Sequence, residues 1–207
     1  MDKKIIGITG RYCAGKSHFA LFFEKKGIPV LDLDKLGHQA IEAEKASLLL
    51  RFGQDILGED DIIDRKKLGK IVFGNNMELA ALEEIIHPWV NRETLSWIES
   101  RPEKACVVNA ALIHRSSAFE LLDALIIVKA PFFVRLLRAK KRDKLPWLAL
   151  LKRFRSQSDF DSQYLKEKTD IYRVGNPSSC RYSVKMLENQ LEYRIDEILS
   201  LQGITRV

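Results

Sequence analysis

Cysteine is scarce in this 207-residue sequence. Cys13, Cys106 and Cys180 are odd in number, far apart and outside any CxxC or His/Cys zinc spacing, which excludes a disulfide framework and a zinc module. Reduced thiols are expected. Long apolar runs are missing too: stretches such as Ala124 to Val128 fall far short of the ~20 residues that cross a bilayer, and the mean hydropathy is -0.16. Behind the charged start Met1-Asp2-Lys3-Lys4 there is no apolar stretch of signal-peptide length and no small-residue cleavage site, so the expected compartment is the cytoplasm. Repeats and low-complexity linkers are absent as well. With 11 Gly, 6 Pro, 46% hydrophobic and 30% charged residues, the composition excludes collagen, coiled coil and disorder and fits one ordinary globular domain.

What the chain does have is an excess of positive charge, a net +6. A positive field suits nucleic acid, an acidic lipid surface or a phosphorylated small molecule. No basic stripe or RNP-like aromatic pattern is visible, so nucleic acid is not the expected partner.

The first segment, Lys4 to Thr9, is a β-branched run that stops at Gly10 and reads as a buried strand. From Lys16 to Lys26 the apolar residues Phe19, Ala20, Phe22 and Phe23 recur at helical spacing, with Gly27 placed to take a left-handed cap. Ile28 to Asp34 reads as a second strand whose alternation sets Asp32 and Asp34 on one face near its end. Strand, helix, strand opens a parallel α/β sheet. Residues 35–101 then read as helical, with stripes such as Leu79/Leu82/Ile85/Ile86 and loops at Gly53 to Gly58 and Gly74 to Asn76. Ala105 to Asn109 and Ala124 to Ala130 are expected strands, separated by a short helix around Ala118 to Leu122. Helices are expected over Phe132 to Arg142, Leu148 to Phe154 and Leu187 to Leu199. The expected fold is a three-layer α/β core (about 1–34, 102–138 and 165–207), a helical insertion (about 35–101) and a helical lid (about 139–164).

Gly10-Arg11-Tyr12-Cys13-Ala14-Gly15-Lys16-Ser17 satisfies G-x-x-x-x-G-K-[ST], a pattern that arises by chance in on the order of one chain in a hundred. It stands between an expected strand and an expected helix, where its chemistry requires it. Main-chain N–H groups from Cys13 through His18 curl round phosphate oxygens at a helix amino end. Lys16 reaches the β/γ-phosphates, and the Ser17 hydroxyl ligates Mg²⁺. ATP and Mg²⁺ are the expected cofactors. Arg11, Tyr12 and Cys13 are bulky for such a loop, and a Cβ restricts any positive φ it requires. A kinase acting on a hydroxyl also needs one carboxylate at the acceptor oxygen and another to organise metal-bound water, roles that Asp34 and Asp32 can fill.

The run Ile6-Gly7-Ile8-Thr9-Gly10, then Gly15-Lys16-Ser17, Phe22 and Gly27 to Asp34, resembles the start of the dephospho-coenzyme A kinase family. In order follow Phe52-Gly53, Ile56-Leu57, Asp64-Arg65 with Leu68, Val72-Phe73, His87-Pro88, Arg138, Arg142-Asp143 and Arg155-Ser156-Gln157. The resemblance spans roughly residues 5–176. It implies ATP-dependent phosphorylation of the ribose 3′-hydroxyl of dephospho-coenzyme A. Asp34 is then the general base, and Lys16 and the loop amides bind ATP. Arg65 and His87 line the acceptor side, and Arg138 and Arg142 are lid-side residues that stabilise the transferring phosphoryl. The partners are small molecules, with no nucleic acid or membrane, and the chain is a monomer or weak oligomer. The alternatives are a nucleoside monophosphate kinase and a family member that binds ATP without turnover. The sequence departs from the family pattern in its loop, where G-G-I-G-S-G-K-S-T is common and His18 replaces the last hydroxyl residue. It also departs at His114, where an acidic residue is usual, at His38, where an Arg is usual, and in an apolar Lys144 to Leu151 stretch.

Overall fold

The computed structural model describes residues 3–155, 160, 164, 169–176 and 181–204. The chain divides into two compact units, one made of Met1–Leu31 with Arg101–Val207 and the other of Asp32–Ser100. The first carries the sheet, built from β1 (Lys4–Gly10), β2 (Val30–Asp32), β3 (Ala105–Asn109), β4 (Ala124–Lys129) and β5 (Asp170–Gly175). Spatial order is β2-β3-β1-β4-β5, so the first strand made is the central one. β1 pairs in parallel with β3 (Ile6↔Val107) and with β4 (Ile6↔Ala124), and β5 joins β4 in parallel (Val128↔Val174). Continuous apolar strands signify burial on both faces, and β1, β3 and β4 are buried almost throughout. The strand periodicity of two therefore leaves no polar face to read.

On one face lie α1 (Lys16–Lys25) and α8 (Arg181–Leu201), sharing a core in which Phe19, Phe22 and Phe23 meet Ile6, Ile8, Ile126, Leu191 and Ile195. Each phenylalanine is at most 1% exposed, and truncating one to alanine costs about 3 to 5 kcal/mol. α1 ends as its sequence requires: Gly27 takes φ 73, and the N–H groups of Lys26 and Gly27 donate to Phe23 and Glu24 carbonyls. After β4 come α6 (Phe132–Asp143) and α7 (Trp147–Arg155).

The second unit contains α2 (Leu33–Ala43), α3 (Lys45–Phe52), α4 (Arg65–Val72) and α5 (Asn76–Ser100) round its own core of Ile41, Leu48, Ile56, Ile63, Leu68, Val72 and Leu82. As the periodicity predicts, helices dominate; among the described residues only an isolated bridge, Leu57 to Ile63, has strand pairing here.

Four expectations need correction. The second strand stops at Asp32 instead of Asp34, because the Asp32 carboxylate accepts the N–H groups of Asp34 (3.0 Å) and Lys35 (3.2 Å) and so caps α2. Local capping thus overrides the strand-like alternation. Helix α5 runs through Pro88, where a proline ordinarily breaks a helix, with His87 in its interior; the buried positions Leu82, Val90, Thr94 and Ile98 continue one packed face across the proline. The segment near Ala118 is 3₁₀, and a second such turn covers Ile113–Arg115. β5 was not foreseen, because Asp170 and Arg173 interrupt its short apolar pattern at the sheet's edge. The motif residues Ser156 and Gln157 lie outside the described residues.

Candidate active site

The loop between β1 and α1 starts with a turn in which Ala14 N–H donates to Arg11 C=O at 2.9 Å and ends at Gly15, whose carbonyl accepts Phe19 N–H. Both loop glycines are demanded by geometry. A Cβ on Gly10 would press on the Val128 carbonyl of the neighbouring strand; Gly15 holds φ 99, and a Cβ there would collide with the Asn176 amide. No side chain caps α1, so its first N–H groups remain the natural seat for an anion. Cys13 sits at φ 59, the left-handed region foreseen for this loop, at a cost of about 1 to 2 kcal/mol for a residue with a Cβ. Burial pushes its thiol up, against the pull of Arg142, Arg138, Arg135 and Lys16. It is a poor thiolate and reads as structural filler.

A cavity of about 520 Å³ opens over this loop. Arg11 and every residue from Cys13 to His18 line it from below, and α6 contributes Arg138, Lys141 and Arg142. Lys16, Ser17, Arg138 and Arg142 are thereby brought to one place. Arg138 and Arg142 share the α6 face that their i, i+4 spacing predicts. Arg138 donates from Nη1 to the Ala14 carbonyl (3.1 Å) and from Nη2 to Asn176 Oδ1 (3.2 Å) and Asn176 C=O (3.3 Å). Burial draws the pKa of its guanidinium below its ordinary value. Arg142 donates from Nε to Asp143 at 2.7 Å and lies over the Tyr12 ring.

Asn176 is the residue sequence reasoning undervalued. It is buried, donates its side-chain amide to the Ala14 carbonyl at 3.0 Å and docks its main-chain N–H on Lys129 C=O at 2.6 Å. The Gly175-Asn176 pair directly after an apolar segment was the available signal. Lys141 was also missed; its only mark was membership of a basic helix end. His114 takes a structural place: its Nδ1 is 3.1 Å from the buried Tyr164 hydroxyl, which is 3.5 Å from Thr9 Oγ1. Burial and the neighbouring Arg115 charge lower the His114 pKa.

Asp32, Asp34, Arg65 and His87 all belong to the second compact unit. Asp34 stands exposed in the first turn of α2, beside its cap Asp32. Arg65 is the exposed first residue of α4, which Asp64 caps through the N–H groups of Lys66 and Lys67. His87 is half-buried in mid-α5. No cluster of three or more His, Cys, Asp or Glu side chains suited to a metal occurs among the described residues, and none of the described helices is long and apolar enough to cross a membrane.

The sequence profile of the family described as Dephospho-CoA kinase matches residues 4–173, from β1 into β5. The chain belongs to the dephospho-CoA kinase family. A Helicobacter pylori dephospho-CoA kinase is 32% identical over 201 residues, covering 92% of this chain and 97% of the relative. A solved Thermus thermophilus structure superposes with a TM-score of 0.78 at 28% identity, covering 95% of this chain and 98% of the other. A dephospho-CoA kinase from Campylobacter jejuni superposes with a TM-score of 0.63 at 27% identity, covering 96% and 98%. The dephospho-CoA kinase match takes in the whole phosphate loop, α6 and the Asp32/Asp34 turn, and it agrees with the expected α/β P-loop kinase fold.

Proposed function

We propose that this chain transfers the γ-phosphoryl group of ATP to the ribose 3′-hydroxyl of dephospho-coenzyme A, giving coenzyme A and ADP. The observation that carries the reading is the cavity in which a complete phosphate loop faces two arginines of one helix. Triphosphate oxygens would take the loop N–H groups and the α1 amino end, with Lys16 on the β- and γ-phosphates. Ser17 offers a hydroxyl and Asp32 a carboxylate, oxygen donors of the kind Mg²⁺ accepts when phosphates and water complete its shell. The ion, when bound, supplies positive charge to the phosphates.

Asp34 takes the proton of the 3′-hydroxyl as that oxygen forms its bond to the γ-phosphorus. The bond from phosphorus to the β-bridging oxygen breaks, and its electrons leave with ADP. Negative charge on the equatorial oxygens meets Arg138 and Arg142, whose guanidinium forks suit phosphoryl geometry. Arg65 and His87 bind on the acceptor side, within a helical acceptor-binding insertion (about 35–101), and residues of about 139–164, α7 among them, form the lid. The direct test offers purified protein ATP with dephospho-coenzyme A or with a panel of nucleoside monophosphates, following ADP release and the mass of the product. One coenzyme A per ADP, with the monophosphates inert, is expected. Equal turnover of a monophosphate, or ATP binding with no transfer to any acceptor, refutes the assignment.

A further inference from the structure

Tyr12 occupies a loop position at which the family pattern carries isoleucine, and its ring, hydroxyl and carbonyl meet residues of two helices. The Arg142 guanidinium carbon lies over the Tyr12 ring at 5.0 Å from the centroid and that of Arg153 at 6.0 Å, and the ring packs edge-to-face with Phe154, centroids 5.4 Å apart. The Tyr12 hydroxyl accepts Arg153 Nη1 at 3.4 Å, and its main-chain carbonyl accepts Arg135 Nη1 at 3.5 Å. Arg135 and Arg142 are on α6; Arg153 and Phe154 are on α7. Phe154 is held in turn by Phe132 at 5.2 Å and by Arg135 over its ring at 4.9 Å. One loop side chain thus gathers both helices.

The consequence falls on Arg142. Its side chain is 60% exposed, so nothing buries it into one rotamer, and an arginine so placed ordinarily samples many. Here its plane has two constraints. The Tyr12 ring lies beneath the guanidinium carbon, and Asp143 takes Nε at 2.7 Å and Nη2 at 3.3 Å along one edge while also pairing with Arg153 at 3.6 Å. Neither of those bonds uses Nη1, and Arg142 lines the phosphate cavity. An aromatic face attracts a guanidinium through its quadrupole and leaves the in-plane N–H groups for an anion.

We propose that Tyr12 is a positioning residue for phosphoryl transfer: its ring holds Arg142 over the phosphate cavity and ties α6 and α7 to the loop. The proposal rests on the kinase reading, in which Arg142 stabilises the transferring group. The operative part is the aromatic face, not the hydroxyl.

The experiment measures single-turnover transfer to dephospho-coenzyme A and, separately, ATP affinity by titration. It compares wild type, Tyr12→Phe, Tyr12→Ile, Arg142→Ala and the double variant Tyr12→Ile/Arg142→Ala. Tyr12→Ile restores the family's loop residue, so the loop keeps a side chain it is built to carry, and the unfolding midpoint checks this. Loss of the stacked ring should slow transfer by about five- to tenfold, the size of a partly desolvated cation–π contact, with ATP affinity within about twofold. Tyr12→Phe should stay within about twofold of wild type, and the double variant should be no slower than Arg142→Ala alone. Three results overturn the proposal: Tyr12→Phe as slow as Tyr12→Ile, singles whose effects multiply in the double variant, or a change confined to ATP affinity. Should Tyr12→Ile lose its fold, Phe154→Leu replaces it, and unchanged transfer there overturns the proposal equally. A wild type that fails to phosphorylate dephospho-coenzyme A removes the kinase reading; a wild type that succeeds beside an unaffected Tyr12→Ile removes this inference alone.

Discussion

Asn176→Ala removes a buried side chain that joins the phosphate loop to Arg138, and its cost can be worked from the bonds lost. The amide donates to the Ala14 carbonyl at 3.0 Å in a buried setting, and its oxygen accepts Arg138 Nη2 at 3.2 Å in a partly buried one. A neutral buried hydrogen bond contributes about 0.5 to 1.5 kcal/mol and one to a charged group about 1.5 to 3 kcal/mol, so the sum lies near 2 to 4.5 kcal/mol. Two partners survive the change: Ala14 C=O still accepts Arg138 Nη1 at 3.1 Å, and Arg138 Nη2 still reaches the residue 176 carbonyl at 3.3 Å. Neither group is orphaned, which places the loss in the lower half of the range, about 2 to 3 kcal/mol. At about 2 to 4 °C per kcal/mol for a domain of this size, the unfolding temperature should fall by about 4 to 12 °C. Thermal unfolding and urea titration measure it. Asn176→Asp serves as control, since it strengthens the Arg138 contact but sets an oxygen against the Ala14 carbonyl. An Asn176→Ala midpoint within 1 °C of wild type, the resolution of about 0.3 kcal/mol implied by that scaling, would show that the buried junction is not coupled to stability and refute the reasoning.

Lys16→Ala should abolish detectable transfer while leaving the unfolding midpoint unchanged, and turnover within a few fold of wild type would remove the phosphate-loop assignment. Asp34→Asn should lower kcat by ~10² to 10⁴ with ATP affinity intact. Asp32→Asn should keep the α2 cap, because asparagine caps as well as aspartate, and should show a defect that moves with Mg²⁺ concentration. His114→Gln should flatten the acid limb of stability. Burial holds the folded His114 pKa down, so the unfolded chain binds a proton the folded chain does not. The associated stability is complete above the ordinary value of about 6.5 and is lost as pH falls from there toward the lowered one. Unfolding midpoints across that interval that fall equally in wild type and variant would contradict this.

Fold and site were legible wherever one local physical demand acted. β1 and α1 were readable because a β-branched run, a phosphate loop and a phenylalanine stripe agree on the same three elements. At Asp32 two local demands competed, strand alternation and helix capping, and the cap won with two main-chain bonds. Pro88 marks a chain break by sequence rules, yet a packed face running from Leu82 to Ile98 holds the helix together. β5 lay beyond reach, and Asn176 showed only the local Gly175-Asn176 signal, because their reasons are tertiary. An edge strand with an Asp and an Arg is defined by the β4 carbonyls and amides beside it, and Asn176 by a carbonyl 162 residues earlier in the chain. The bulky Tyr12 looked like a misfit in its loop because its partners, on α6 and α7, follow more than 120 residues later.

That span of 162 residues between Ala14 and Asn176 also sets an order of events at birth. β1 leaves the ribosome first and is the central strand, but the partners it pairs with begin at Ala105 and Ala124. At about 5 to 20 residues per second, Ala14 waits roughly 8 to 30 seconds for Asn176 to be synthesised. Until Ala105 and the residues after it are made, Ile5-Ile6-Gly7-Ile8 is an apolar strand with both edges bare, the kind of segment that chaperones shield and that aggregates when they do not.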